Sequence, residues 1–162
     1  MRFVTFLCLC SAVACAPAAP PLAHAQPSAE ALARAVLDAV ELGDETTLRA
    51  VALSEEEFRE YVWPELPASR PERNLPLSYV WSDLHQKSER SLRTTLAEYG
   101  GWHYTLIGLR FDAETTDYVA FKVHRQAVFR VSRGPDTREV RVCGSMIEMN
   151  GAWKVFSYVI DD

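Results

Sequence analysis

The sequence predicts an α+β fold, with N-terminal helices and one long helix packed on a curved four-stranded antiparallel meander. Three observations carry this. Apolar residues recur at helical spacing between Ser28 and Tyr99. After Gly101 they alternate with polar residues, as half-buried strands do. Glycine, proline and the Asn150-Gly151 dipeptide punctuate that second half.

The chain has 162 residues, the length of one domain. It is 48% hydrophobic and 24% charged, which is ordinary for a globular protein and excludes disorder or a disulfide scaffold. Seventeen Lys and Arg face 22 Asp and Glu, a net charge of −5 with no basic tract. Sequence-independent nucleic-acid binding needs clustered Lys and Arg, so that class is excluded.

The first segment reads as a targeting signal. Met1-Arg2-Phe3 gives a short positive start, and Val4 to Ala14 is an apolar run too short to span a bilayer. Two cuts fit. Ala23-His24-Ala25 before Gln26 satisfies the small-x-small rule and defines a signal peptide over 1–25 and a single domain over 26–162. Ala12-Val13-Ala14-Cys15 resembles a lipobox without its usual Leu, and there Cys15 becomes the lipidated first residue. The sequence favours the Ala25 cut and export to the periplasm or medium, with a lipid anchor as the alternative. Cys8, Cys10 and Cys15 all fall in the leader. Cys143 is then alone, without an intramolecular disulfide partner, and is expected to pack as a small hydrophobe.

Ser28 can cap a helix whose face holds Leu32, Val36, Ala39 and Val40, and Gly43 ends it. Asp44 can cap a second helix through Leu53. Ser54-Glu55-Glu56-Glu57 is a capping box opening a third helix with Phe58, Tyr61 and Val62, which stops before Pro64. From 63 to 77 four prolines interrupt the chain, while Trp63, Leu66, Leu75 and Leu77 predict a docked loop. Ser78 to Tyr99 is the long helix. Its stripe is Trp81, Leu84, Leu92, Leu96 and Tyr99, and Gly100-Gly101 terminate it. Ser88 lies on that stripe and either caps a helix carbonyl or faces a cavity. Asp83–Lys87 and Glu89–Arg93 read as solvated i,i+4 pairs.

Strands are expected at 102–111, 118–131, 138–149 and 152–160, with turns at Asp112 to Asp117, Ser132 to Thr137 and Asn150-Gly151. In the second strand Val119, Phe121, Val123, Ala127, Phe129 and Val131 share a face. Tyr118, Lys122, His124, Gln126 and Arg130 share the other.

This order of elements resembles the cystatin-like and nuclear-transport-factor-2-like α+β cone over residues 28–160. The resemblance rests on architecture. The early hairpin of transport-factor-like members is replaced by the proline-rich 63–77. The cystatin signature Gln-x-Val-x-Gly is not met, since Gln126-Ala127-Val128-Phe129-Arg130 ends without glycine. Members of this fold include binding domains, isomerases and cyclases, so the likeness implies a cone that takes ligands at its mouth and no single activity.

The sequence carries no P-loop, dinucleotide fingerprint, nucleophile elbow or zinc spacing, and no cofactor is expected. One constellation can be derived. The Asn150-Gly151 turn sets Met149 opposite Ala152 and Glu148 opposite Trp153. Ile107, Leu109 and Phe111 define an inner face of the first strand that includes His103. Arg125 is the one charge on the apolar face of the second. A row His103–Arg125–Glu148–Trp153 is therefore expected across one end of the inner face. There Arg125 would anchor an anion or carbonyl, and Glu148 or His103 would accept a proton. With Ser88 these are the candidate pocket residues. The outer face, with Arg141, Ser145, Ile147, Lys154, Phe156, Tyr158 and Ile160, predicts partial cover by the first helices or by a second copy in a homodimer.

Two functions follow. The first is an exported domain binding a small ligand or partner without catalysis. The second is a small cofactor-free isomerase or cyclase. A lipid-anchored envelope accessory is a third reading that turns on Cys15.

Overall fold

Helix α1 spans Ala29–Leu42 and begins where Ser28 Oγ accepts the Ala31 N–H. It ends at Gly43, which adopts the left-handed conformation that a residue without Cβ takes at no steric cost. The computed structural model describes residues 22–160; Cys15 lies outside those residues, and Ala23 to Ala25 lie within them. Seven residues of α1 are buried, Leu32, Val36 and Val40 completely. Each such side chain contributes about 1.5–3 kcal/mol by leaving water.

Asp44 caps α2, Glu45–Ala50, which is shorter than expected. Residues 51–53 instead join the edge of a strand. Val155 N–H donates to Val51 O at 2.9 Å, and Leu53 N–H donates to Val155 O at 2.8 Å. The capping box forms as expected at α3, Glu55–Glu57. A π turn at Phe58–Val62 and a 3₁₀ turn at Trp63–Glu65 continue it past Pro64, which sits in a first turn where no N–H is needed. Two more 3₁₀ turns, Pro67–Ser69 and Pro71–Arg73, fill the docked loop. Helix α4 spans Leu77–Tyr99.

Seven strands follow: β1 Thr105–Phe111, β2 Thr116–Asp117, β3 Lys122–Arg125, β4 Ala127–Arg133, β5 Asp136–Val140, β6 Ser145–Met149 and β7 Ala152–Ser157. They form two antiparallel sheets, β1-β4-β5 and β2-β3-β6-β7. The α+β class and the four-strand order stand, but the meander is not continuous. Its second strand breaks at Gln126, where φ is 54°, and its third between Val140 and Ser145. A hydrogen bond from Ala127 N–H to Gly144 O, 3.1 Å, carries the pairing across both breaks. Long strands twist and coil, and a bulge relieves the strain by re-aiming the chain.

The Gln126 break has a second effect. One inserted residue exchanges faces, because side chains alternate with period two. Val123 therefore joins one core, with Phe121, Ile147, Leu53, Phe58 and Val62. Ala127, Phe129 and Val131 join another, with α1 and Val155. Val119 leaves the apolar face altogether and is 99% exposed at the β2–β3 turn.

The second sheet is covered on both sides. Met146 and Val155 lie in the core that contains α1. Ile147 and Phe156 lie in the core that contains α3, the turns after it and the first half of α4. Of the two covers expected for the outer face, the first helices or a second copy, the chain's own residues between 53 and 84 supply one over Ile147 and Phe156. Lys154 is 1% exposed there and donates to both oxygens of Glu57, at 3.0 and 2.8 Å. Burial alone would raise the Glu57 carboxyl. Hydrogen bonds from Lys154 and from the Ser54 and Ala23 N–H groups outweigh it and hold the carboxyl below its ordinary value. Among the described residues no helix is long and apolar enough to cross a membrane.

Candidate functional site

The expected row does not assemble. The turn register is as read: Met149 pairs with Ala152 and Glu148 with Trp153. Both glycine-turn residues, Asn150 and Gly151, have positive φ, as a type I′ turn requires. The other two members are displaced. Antiparallel pairing sets Phe111 against Ala127 and Thr105 against Ser132. The start of β1 therefore lies at the far end from Arg125. A shift between Leu106 and Gly108 also turns Ile107 outward, to 50% exposure. His103 is exposed, with Nδ1 2.6 Å from Glu41 Oε2. Such a pair is worth little in water.

His124 takes the place read for Arg125, because the Gln126 bulge exchanges the two faces. Its Nε2 lies 3.0 Å from Glu148 Oε2, and its Nδ1 lies 3.0 Å from Thr115 Oγ1. The ring stacks on Trp153 at 4.6 Å and lies 5.0 Å from Phe111. A carboxylate, an imidazole and a hydroxyl are thus joined in one chain. The same order supports proton transfer in nucleophilic sites. Glu148 borders only a shallow recess of about 120 Å³. Neither His124 nor Thr115 lines any of the larger grooves. No signal in the sequence marks this relay, since Gln126 is neither glycine nor asparagine and carries no hint of positive φ.

Arg125 stands on the opposite face, across from Ser145. It reaches a groove of about 520 Å³ between α4 and the second sheet. The groove is apolar over Val123, Phe156 and Val159 of the sheet side and Val80 and Leu84 of α4. Leu66 of the proline-rich loop closes one end, and Glu65 pins that loop by accepting the Val119 and Ala120 N–H groups at 2.6 and 3.0 Å. Three charges border the groove: Asp83, Lys87 and Arg125. Lys87 and Asp83 pair at 2.7 Å, as the i,i+4 spacing predicts. Arg125 has no acidic partner among the described residues, so two cations face one carboxylate.

A second groove, about 330 Å³, runs along the other side of α4 and shares Leu84 and Phe156 with the first. Ser88 lines it, but its Oγ accepts the Tyr158 N–H at 2.9 Å. Ser88 therefore ties the chain after β7 to α4 and caps no carbonyl of its own helix. A third groove of about 540 Å³ flanks the C-terminal half of α4. Its charges largely neutralise each other: Arg110 pairs with Glu139 at 2.7 Å and with Asp112, and Arg141 pairs with Asp112 at 2.8 Å. Among the described residues no cluster of His, Cys, Asp or Glu is arranged to hold a metal ion.

Comparison with known family models, with curated proteins and with solved structures finds no match to this chain.

Proposed function

We propose that this chain is an exported, non-catalytic binding domain that holds an amphipathic organic anion in the groove between α4 and the second sheet. The ligand has an apolar body and a carboxylate head, as a long-chain fatty acid does. The carrying observation is Arg125, a guanidinium without an acidic partner among the described residues at the wall of an apolar groove. A volume of about 520 Å³ is in the range of small-molecule sites. The planar fork of Arg125 matches a carboxylate. The likeness of element order to the ligand-holding cone supports the same reading. Fluorescence titration with cis-parinaric acid tests it. The native chain binds the acid, and Arg125→Ala weakens binding about tenfold, the loss of one charge-assisted hydrogen bond. The methyl ester of the probe is insensitive to that substitution. No binding of the acid by the native chain ends this reading.

A second reading, a small cofactor-free hydrolytic or isomerising enzyme, is favoured by the Thr115–His124–Glu148 relay alone. His124 stands beside Glu148, where the sequence alone places Arg125, and His103, the alternative proton acceptor, lies elsewhere. This reading requires turnover of an activated ester such as p-nitrophenyl acetate that His124→Gln abolishes. Turnover equal in both chains removes it.

A further inference from the structure

The groove that holds Arg125 and the second groove, of about 520 and 330 Å³, meet at two residues, Leu84 of α4 and Phe156 of β7. Helix geometry puts Leu84 at that meeting point. At about 100° per residue, Val80, Asp83 and Lys87 fall on one flank of α4 and line the first groove. Trp81, His85 and Ser88 fall on the other flank and line the second. Leu84 lies midway between the flanks and so points down at the sheet. Phe156 is its counterpart on the sheet. Both are half-buried and pack on the core that holds Phe58 and Ile147.

The two grooves differ in charge. The first has Arg125, without an acidic partner among the described residues. In the second, Arg49 is held by Glu45 and Glu89 at 2.6 and 3.0 Å, and Glu55 pairs with Arg59 at 3.1 Å. His85 stacks on Trp81, with ring centroids 5.4 Å apart. A carboxylate head therefore belongs in the first groove, while the second offers an apolar wall of Ala52, Leu53, Trp81 and Phe156. The helix itself is tied down between them. Ser88 Oγ accepts the Tyr158 N–H at 2.9 Å, and the Tyr158 hydroxyl donates to Leu48 O at 2.8 Å. Passage under α4 is thus governed by the side chains of Leu84 and Phe156.

We propose that Leu84 and Phe156 form a partition under α4 that sets how much of a ligand's tail is buried. The inference rests on the reading of the first groove as the site of an amphipathic anion. The head lies at Arg125, and the tail runs along Val123 and Phe156 until the partition stops it. Methylenes beyond that point stay in water and add nothing to affinity. Leu84 and Phe156 therefore determine length specificity, and the second groove is the space a longer tail gains when either is made smaller.

Calorimetric titration with saturated straight-chain acids from octanoic to octadecanoic, kept below micelle-forming concentrations, tests the partition. In the native chain affinity should rise about fourfold per methylene up to one length and then level off. Leu84→Ala and, separately, Phe156→Val should each move that break to a longer acid. The quantity compared is the ratio of affinities for long and short acids within one protein, so a general loss of stability cancels. The heat-capacity change on binding octadecanoic acid should also become more negative in both variants, as more apolar surface is buried. A break at the same length in all three proteins overturns the partition. So does a native chain whose affinity climbs unbroken to octadecanoic acid. Binding of none of the acids by the native chain ends the reading of the groove itself, and the partition with it.

Discussion

Helix α1 has 14 residues and buries seven of them, whereas α4 has 23 and buries two, Leu92 and Thr95. The longer helix has the more visible stripe in the sequence, yet the shorter one makes the tighter contact. The difference lies in side-chain size. The inner face of α1 is built from Ala29, Ala33, Val36, Ala39 and Val40 with two leucines, and small residues let a helix sit close to its partner. The stripe of α4 is Trp81, Leu84, Leu92, Leu96 and Tyr99. Bulky residues hold the helix off the sheet, and grooves open on its flanks. A stripe thus says that a helix is amphipathic. It does not say how closely the helix is packed, and the grooves lie beside the loosely packed one.

The largest test of this contrast concerns the ion pair on the α4 side. Lys154→Ala should cost about 3–5 kcal/mol in urea unfolding, because it leaves the Glu57 carboxylate buried without its cation. A cost under about 1 kcal/mol would mean that this side is wet throughout and would widen the contrast with α1. The pH dependence has a definite sign. The folded Glu57 carboxyl is held below its ordinary value, so its contribution is complete only above that ordinary value of 4.5 and is lost as pH falls through the folded value. Stability measured from pH 6 to pH 2 should fall less steeply in Glu57→Gln than in the native chain.

Next come paired truncations. Leu32→Ala in α1 should cost about 3 kcal/mol, since Leu32 is fully buried. Leu84→Ala in α4 should cost about 1 kcal/mol, because that side chain already borders two grooves. Equal costs would break the comparison. The smallest effect is chemical. Cys143 lies in the α1 core with no exposure, and burial pushes its thiol up to about 12. In the native protein at pH 8 it should react with Ellman's reagent only at the rate of unfolding. Fast reaction in the folded state would show that the α1 side opens too.

Local chemistry was legible from the sequence because each signal acts within a few residues. Ser28 and Gly43 bound α1, and Ser54 and Glu57 close the capping box by reciprocal hydrogen bonds. Asn150-Gly151 sets Glu148 opposite Trp153. Alternation marked Ala127, Phe129 and Val131 as inward, and all three are fully buried. Each of these follows from backbone geometry and the nearest hydrogen bonds, which the residues themselves specify.

What only the tertiary structure decided is where those elements break and which faces meet. The left-handed Gln126 exchanges the faces of His124 and Arg125, which separates Arg125 from Glu148 and delivers His124 to it. Gly144 passes so close to Val159 O that a Cβ there would lie 1.5 Å from it, and this approach fixes the second break. Neither residue announces a bend, because the bend answers the twist of two sheets that must cover α1 on one side and α3 with α4 on the other. The preference for a bulge at one position over its neighbours is a small local energy. Burying both cores at once is a much larger one, and it sums over residues far apart in the chain.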